Sequence, residues 1–239
     1  MKIKLVKNEQ VEERTKMSGE PPTLLEEGAE PKRGRPRSKR DQIVRAAIKV
    51  FLENGYAATS MNRVAEEADV IKATIYSHFA DKEQLFTAII EEIVLAKIGI
   101  DFEHLEDMLR PMDIDAFMEF LLSRFLRLAD DAEYLALIRL IIGESGRFPE
   151  LADLYLKAVV LRGMKAAKVF FELHREYAVP DPLAAAHVVT CSFWSLLVWQ
   201  KLLGGSRYMP LDPVIVRDTV VKLIRSQVES LDCRPAQDS

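Results

Sequence analysis

Cysteine is scarce in this 239-residue chain, with Cys191 and Cys233 the only two. Two cysteines cannot build a framework of bridges or a zinc knuckle, so packing must hold the fold, as suits a reducing cytosol. A redox switch is one reading of the pair. For Cys191, inside an apolar run, the plainer reading is a small inert core side chain. Glycine is sparse as well, ten residues in all, and none forms a loop that could cradle phosphate. No histidine pair stands at metal-ligand spacing and no nucleophile motif occurs. These absences argue against an enzyme and against any cofactor or metal. His104 beside Glu103, Glu106 and Asp107 reads as an exposed acidic patch. The first residues, MKIKLVKNEQVEER, lack an unbroken apolar stretch, so no secretory leader is expected. Strand-like alternation persists nowhere, which leaves an all-α chain without internal repeats.

What is present is unevenly charged. The net charge of −4 divides into −2 over residues 1–31, +5 over 32–82 and −7 over 83–239. A basic module on an acidic body suits a protein whose phosphate contacts are confined to one end. Residues 1–31, with Pro21, Pro22, Pro31, many Glu and no aromatic, read as a disordered extension. Residues 32–82 read as a basic arm and DNA-binding domain, and 83–239 as a helical regulatory and dimerisation domain.

Helical periodicity organises the rest. Ser38 caps a first helix with Ile43, Ala46, Ala47, Val50 and Phe51 on one face, stopped at Asn54-Gly55. Ser60 caps a second, with Met61, Val64, Ala65 and Ala68 inward. A break at Asp69-Val70 leads to a third, about 71–78, holding Ile75 and Phe79. Asp81 opens a fourth through Leu85, Phe86, Ile89, Ile90 and Ile93. Further helices are expected from Asp113 or Asp115 through Leu128, from about Glu133 to Ser145, from Pro149 to about Tyr177, and over about 183–203 and 212–231.

The second and third helices have the proportions of a helix-turn-helix, whose second helix enters a DNA major groove. The outer face of that helix carries Lys72, Ala73, Thr74, Ser77 and His78. Lys72 and Thr74 are the candidates for base contact, and Ala73 could touch a thymine methyl. Thr59, Ser60, Tyr76 and Lys82 are the candidates for phosphate, which sets register rather than sequence. Directly upstream, KRGRPRSKR (32–40) packs six basic side chains and no acidic one. Arg33-Gly34-Arg35-Pro36 resembles an AT-hook core whose two Arg would insert in the minor groove, and Arg37 is a further candidate DNA contact. The alternative is a solvated basic linker making loose phosphate contacts.

Residues 38–86 resemble the N-terminal domain of the TetR family of transcriptional regulators. The likeness is carried by Phe51-Leu52-Glu53-Asn54-Gly55-Tyr56, Thr59-Ser60, Val64-Ala65, Ala68-Asp69-Val70, Thr74-Ile75-Tyr76, His78-Phe79, Lys82-Glu83 and Leu85-Phe86. Ile71 departs where the family often has Ser, which removes a side-chain cap. Asp69 and Ala73 stand where Gly is common. In the body, Ile141-Ile142-Gly143-Glu144-Ser145 and Arg147-Phe148-Pro149-Glu150-Leu151 are similar to the C-terminal domains of the AefR-like branch. The resemblance implies a three-helix DNA-binding domain joined to a helical ligand-binding and dimerisation domain. It also implies a homodimer, and a dimeric reader in the cytoplasm is expected to bind a palindromic operator.

Pro182–Gln200 carries no formal charge over nineteen residues, about a bilayer's width. His187, Thr190, Ser192 and Ser195 dilute it, and a helix apolar all round can equally be buried in protein. No membrane is expected. This run would instead pair with Val216, Val220, Leu223, Ile224 and Leu231 of the last helix in a four-helix dimer interface. A pocket is expected among the middle helices. Its candidate lining is Phe117, Phe120, Phe125, Met164, Phe171, His174 and Trp194, each of which also reads as plain core. Such a lining favours an apolar or aromatic inducer. The expected function is a repressor released by a small molecule. The alternative is a constitutive or architectural DNA-binding protein without an inducer.

Overall fold

The structure, a computed structural model, describes residues 38–232. The extension 1–31, the basic arm with Arg33, Arg35 and Arg37, and Cys233 lie outside them. Among the described residues every regular element is helical.

Local chemistry sets the starts. Ser38 accepts the Asp41 N–H at 3.1 Å and opens α1 (Lys39–Ala58), whose path breaks at Gly55, φ +79°. A left-handed turn there suits a residue without Cβ. Ser60 accepts the Arg63 N–H and opens α2 (Met61–Glu67). Next comes α3 (Lys72–His78). Asp81 accepts the Gln84 N–H at 2.8 Å and opens α4 (Lys82–Ile90). Through a π-helical turn at Glu91–Leu95, α4 runs into α5 (Ala96–Ile98). The short α6 (Leu105–Leu109) follows, which the sequence pattern had not suggested. Asp113 caps α7 (Ile114–Ala129) and Asp131 caps α8 (Ala132–Glu144). The long helix expected from Pro149 runs unbroken to Leu173, as α9 (Pro149–Tyr155) and α10 (Leu161–Leu173) on either side of a π-helical turn at Leu156–Val160. A 3₁₀ turn at Arg175–Tyr177 follows. Last come α11 (Pro182–Leu196), running into a π-helical turn at Leu197–Leu202, and α12 (Pro213–Asp232).

Two apolar cores form. The first joins α1–α4 to α8 and α9, and contains Phe51, Tyr56, Ile75, Phe86, Tyr134, Ile138 and Tyr155. Phe51, Tyr56 and Phe86 meet with ring centroids 5.4–5.7 Å apart, the spacing aromatic pairs favour. The second joins α6, α7, α10, α11 and α12. Its centre is Phe117 stacked on Phe170 at 3.9 Å. Phe125 on α7 packs against both.

Pro182–Leu202 is long and apolar enough to cross a membrane, and 28% of its apolar window is buried. Ala186, Val189, Phe193 and Leu196 point into the second core, while Leu183, Val188 and Trp199 are exposed. On α12, Val220 is buried and Val216 and Ile224 pack against the same core. The stripe expected to meet a partner is thus mostly turned inward, because residues four apart share the face that α7 covers. Val214, Ile215 and Leu223 form the outer apolar face. Ion pairs from Arg217 to Glu119 and from Arg225 to Asp115 tie α12 to α7.

Candidate nucleic-acid interface and cavity

The turn between α2 and α3 is built by backbone hydrogen bonds. The Val70 N–H donates to the Ala65 carbonyl at 3.0 Å, and Asp69 takes φ +49°, a left-handed value that Asp tolerates better than most residues. Gln42 of α1 donates to the Ala68 carbonyl at 2.6 Å and anchors the turn from behind. Ile71 occupies the start of α3, 72% exposed, with no side-chain cap. Ile75 and Phe79 are buried and fix the rotation of α3.

That rotation leaves Lys72, Ala73, Tyr76, Ser77 and His78 exposed on one face, with Thr74 half-buried among them. The Lys72 ammonium lies 5.6 Å from the Tyr76 ring centroid, so the two side chains approach each other along that face. The Ser77 hydroxyl donates to the Thr74 carbonyl at 2.7 Å, which leaves its oxygen to accept from outside. Ser60, at the start of α2, is also exposed.

Two residues read from the sequence as phosphate contacts are placed differently. Thr59 is buried, its hydroxyl donating to the Gly55 carbonyl at 2.8 Å. The Lys82 ammonium turns inward, donating to the Tyr56 carbonyl and lying 4.0 Å from the Tyr56 ring centroid. Burial pulls the Lys82 pKa below its ordinary value, against the opposing pull of Glu144 and Glu150. Both carboxylates belong to the body, so Lys82 lies where the reading module meets α8 and α9. Tyr56 stacks edge-on against Phe148 at 5.1 Å in the same place. Burial, aided by Glu150, pushes the Tyr56 phenol up to about 12.

The body contains a cavity of about 570 Å³, within the range of small-molecule sites. It lies on the seam between the two cores. Tyr134, Ile138, Ile141, Tyr155 and Leu197 come from the first, and Leu121, Met164 and Phe193 from the second. Leu95, Leu156 and Leu197, one from each π-helical turn named above, also line it. Such turns concentrate at functional sites.

Of the residues suggested as pocket lining, Phe125, Met164 and Trp194 face this cavity. Phe117, Phe120 and Phe171 lie in the second core, and His174 stacks 4.5 Å from Phe170 and hydrogen-bonds Glu176 at 2.9 Å. The polar lining that sequence reasoning missed includes Tyr134, Tyr155, Arg162, His187 and Thr190. No cluster that could hold a metal occurs among the described residues. His104 pairs with Asp101 at 2.9 Å on the surface.

The model of bacterial regulatory proteins of the tetR family matches residues 43–89, and that of the AefR-like transcriptional repressor C-terminal domain matches 117–226. The fatty acid metabolism regulator protein of Bacillus subtilis is 35% identical over 71 residues, 30% of this chain and 34% of that protein. The HTH-type transcriptional regulator UidR of Escherichia coli is 29% identical over 117 residues, 47% of this chain and 55% of that one. The matched stretches thus span about half or less of those relatives. Among solved structures, a TetR-family regulator from Mesorhizobium loti aligns over 81% of this chain and 98% of its own, with 25% identity and a TM-score of 0.61. The flavonoid-responsive regulator FrrA aligns over 79% and 96%, with 29% identity and a TM-score of 0.57.

Proposed function

Since this chain belongs to the TetR family of bacterial regulatory proteins, we propose that it is a cytoplasmic homodimeric repressor that a small apolar or aromatic ligand releases from a palindromic operator. The observation that carries this reading is the outward face of α3, where Lys72, Ala73, Thr74, Tyr76, Ser77 and His78 surround no core function of their own. Lys72 and Thr74 read base edges, while Ser60 and Tyr76 hold phosphates. Arg33, Arg35 and Arg37 enter the adjacent minor groove.

A palindrome requires two copies of α3 about one DNA turn apart. The outer faces of α11, the π-helical turn after it and α12, with Leu183, Val188, Trp199, Ile215 and Leu223 exposed, supply the contact between copies. A second copy of the same faces buries them in an isologous four-helix interface. It also accounts for the bilayer-length apolar run without a membrane.

Release follows if the ligand prefers a dimer whose α3 helices no longer match the groove spacing. The cavity favours an apolar, aromatic occupant, and one neighbour of this chain is described as flavonoid-responsive. Coupling runs from the cavity walls α8 and α9 through Glu144, Phe148 and Glu150 to Tyr56 and Lys82. The test is binding to the DNA flanking the protein's own gene, with scrambled DNA as competitor at two salt concentrations. Specific, salt-sensitive protection of a palindrome, weakened by a cavity ligand, is expected. Binding that scrambled DNA removes would favour an architectural role.

A further inference from the structure

The reading of the seam cavity as a ligand site leaves open what polar group a ligand needs, and the wall of the cavity answers it. The Tyr134 and Tyr155 hydroxyls lie 2.9 Å apart, on α8 and α9. Each is the other's only hydrogen-bond partner among the described residues. Two phenols hold two hydrogens, and the bond between them uses one. Whichever hydroxyl donates, the hydrogen of the other has no protein acceptor. Tyr134 and Tyr155 are 3% and 6% exposed, so little of either residue meets solvent.

The other hydroxyls in the lining are already committed. Thr190 donates to the Ala186 carbonyl at 2.8 Å, and Ser145 to the Ile142 carbonyl at 3.3 Å. Arg162 is exposed at the rim, 5.6 Å from the Phe102 ring centroid. Among the described hydroxyls of the lining, the tyrosine pair alone holds a spare hydrogen. The rest of the lining is mostly aliphatic or aromatic, with His187, Cys191, Arg162 and Trp194 as the side chains besides the hydroxyls that carry a donor hydrogen.

Resting on the reading of the cavity as a ligand site, we propose that the Tyr134–Tyr155 pair is its polar anchor, and that the ligand is an apolar, ring-bearing molecule with one hydrogen-bond-accepting oxygen, carbonyl or phenolic. The oxygen takes the spare hydrogen, and the rings lie along Phe125, Phe193 and Trp194. Burial pushes both phenols up, Tyr134 to about 12, so both stay protonated and able to donate near neutral pH. The pair also ties α8 to α9, whose far parts, Glu144, Phe148 and Glu150, meet the reading module. An oxygen seated on the tie therefore acts on the joint between cavity and α4.

Benzophenone and diphenylmethane test this, since they differ only in a carbonyl replacing a methylene. Calorimetric titration of the full chain should give benzophenone roughly tenfold tighter binding, the worth of one buried hydrogen bond. In Y134F/Y155F that preference should vanish while diphenylmethane binds as before. Either single variant keeps one free donor and should keep the preference. In wild-type protein the carbonyl stretch of bound benzophenone should fall to lower frequency than in alkane solvent. This measurement stands even if the double variant fails to fold. Equal binding of both probes, an unshifted stretch, or a preference surviving in Y134F/Y155F would overturn the anchor and leave the cavity as a ligand site. If neither probe binds, both readings fall.

Discussion

The two cores of this molecule differ in what they hold together. The first knits the DNA-reading helices to α8 and α9 of the body. The second knits α6, α7 and α10 to the pair that carries the outer apolar face, α11 and α12. The reading module is therefore not a separate bead on the body. Its core continues into helices that wall the cavity. The division that matters runs along the seam, with the outward face of α3 on one side and the outer apolar face of α11 and α12 on the other. The cavity on the seam borders both cores at once, and close-packed cores respond to a change in their contacts by shifting as units rather than by deforming continuously.

The largest expected effects come from emptying either core at its centre. Phe170→Ala removes the ring stacked on Phe117, and Phe86→Ala the ring packed edge-on against Phe51 and Tyr56. Each should cost about 4 kcal/mol in denaturant titration, as expected for a fully buried Phe. Their consequences should differ. Phe170→Ala should weaken the dimer in size-exclusion chromatography. Phe86→Ala should abolish operator binding while the dimer persists. Identical losses from both would mean that the two cores act as one.

A sharper contrast concerns two lysines on the reading side. Lys72 is exposed on α3, whereas the Lys82 ammonium faces the Tyr56 carbonyl and the body. Lys72→Met should cost about 1–3 kcal/mol of operator binding and relax sequence preference, the loss of a base-edge contact, while the slope of log affinity against log salt falls by less than the one expected for a phosphate contact. Lys82→Met should leave that slope unchanged and destabilise the fold by about 1 kcal/mol, because the Tyr56 carbonyl loses its charged donor and keeps only the Thr59 N–H. A reduced slope for Lys82→Met would return it to the phosphate contacts.

Most of the reading module was legible because its signals are local. Ser38, Ser60 and Asp81 each accept from an N–H three residues on, and the faces Ile43–Phe51 and Leu85–Ile93 follow helical spacing. Ile71 was legible as a missing cap, and Ile71→Ser should stabilise by about 1 kcal/mol, seen as a higher thermal midpoint. The cavity was not legible. Periodicity says that Phe117, Phe120 and Phe171 are buried, but not in which of two cores. The Tyr134–Tyr155 pair spans 21 residues and two helices, with no local pattern to announce it. The inward turn of Lys82 depends on the Tyr56 carbonyl 26 residues earlier in the chain. The π-helical turns that line the cavity arise from packing and carry no cap or breaker.

The smallest effect tests the cavity side of the seam through pH. Asp131 caps α8 just before Tyr134, accepting the Tyr134 N–H at 2.7 Å, and its other oxygen takes the Lys97 ammonium. Burial acts to raise its pKa, but Lys97 and the Tyr134 N–H outweigh it and hold the carboxyl below its ordinary value. A carboxyl depressed in the folded state adds stability that is complete above its unfolded pKa of about 3.9 and is lost as pH falls through the folded value. Asp131→Asn keeps a capping oxygen and deletes the charge. The variant should therefore be less stable than the wild type by up to about 1 kcal/mol near neutral pH, as for a partly exposed ion pair. That gap should close only below about pH 4, as the wild-type carboxyl protonates. Thermal midpoints across that range measure it. A gap that stayed constant down to about pH 2 would mean that Lys97 does not favour the carboxylate in the folded chain.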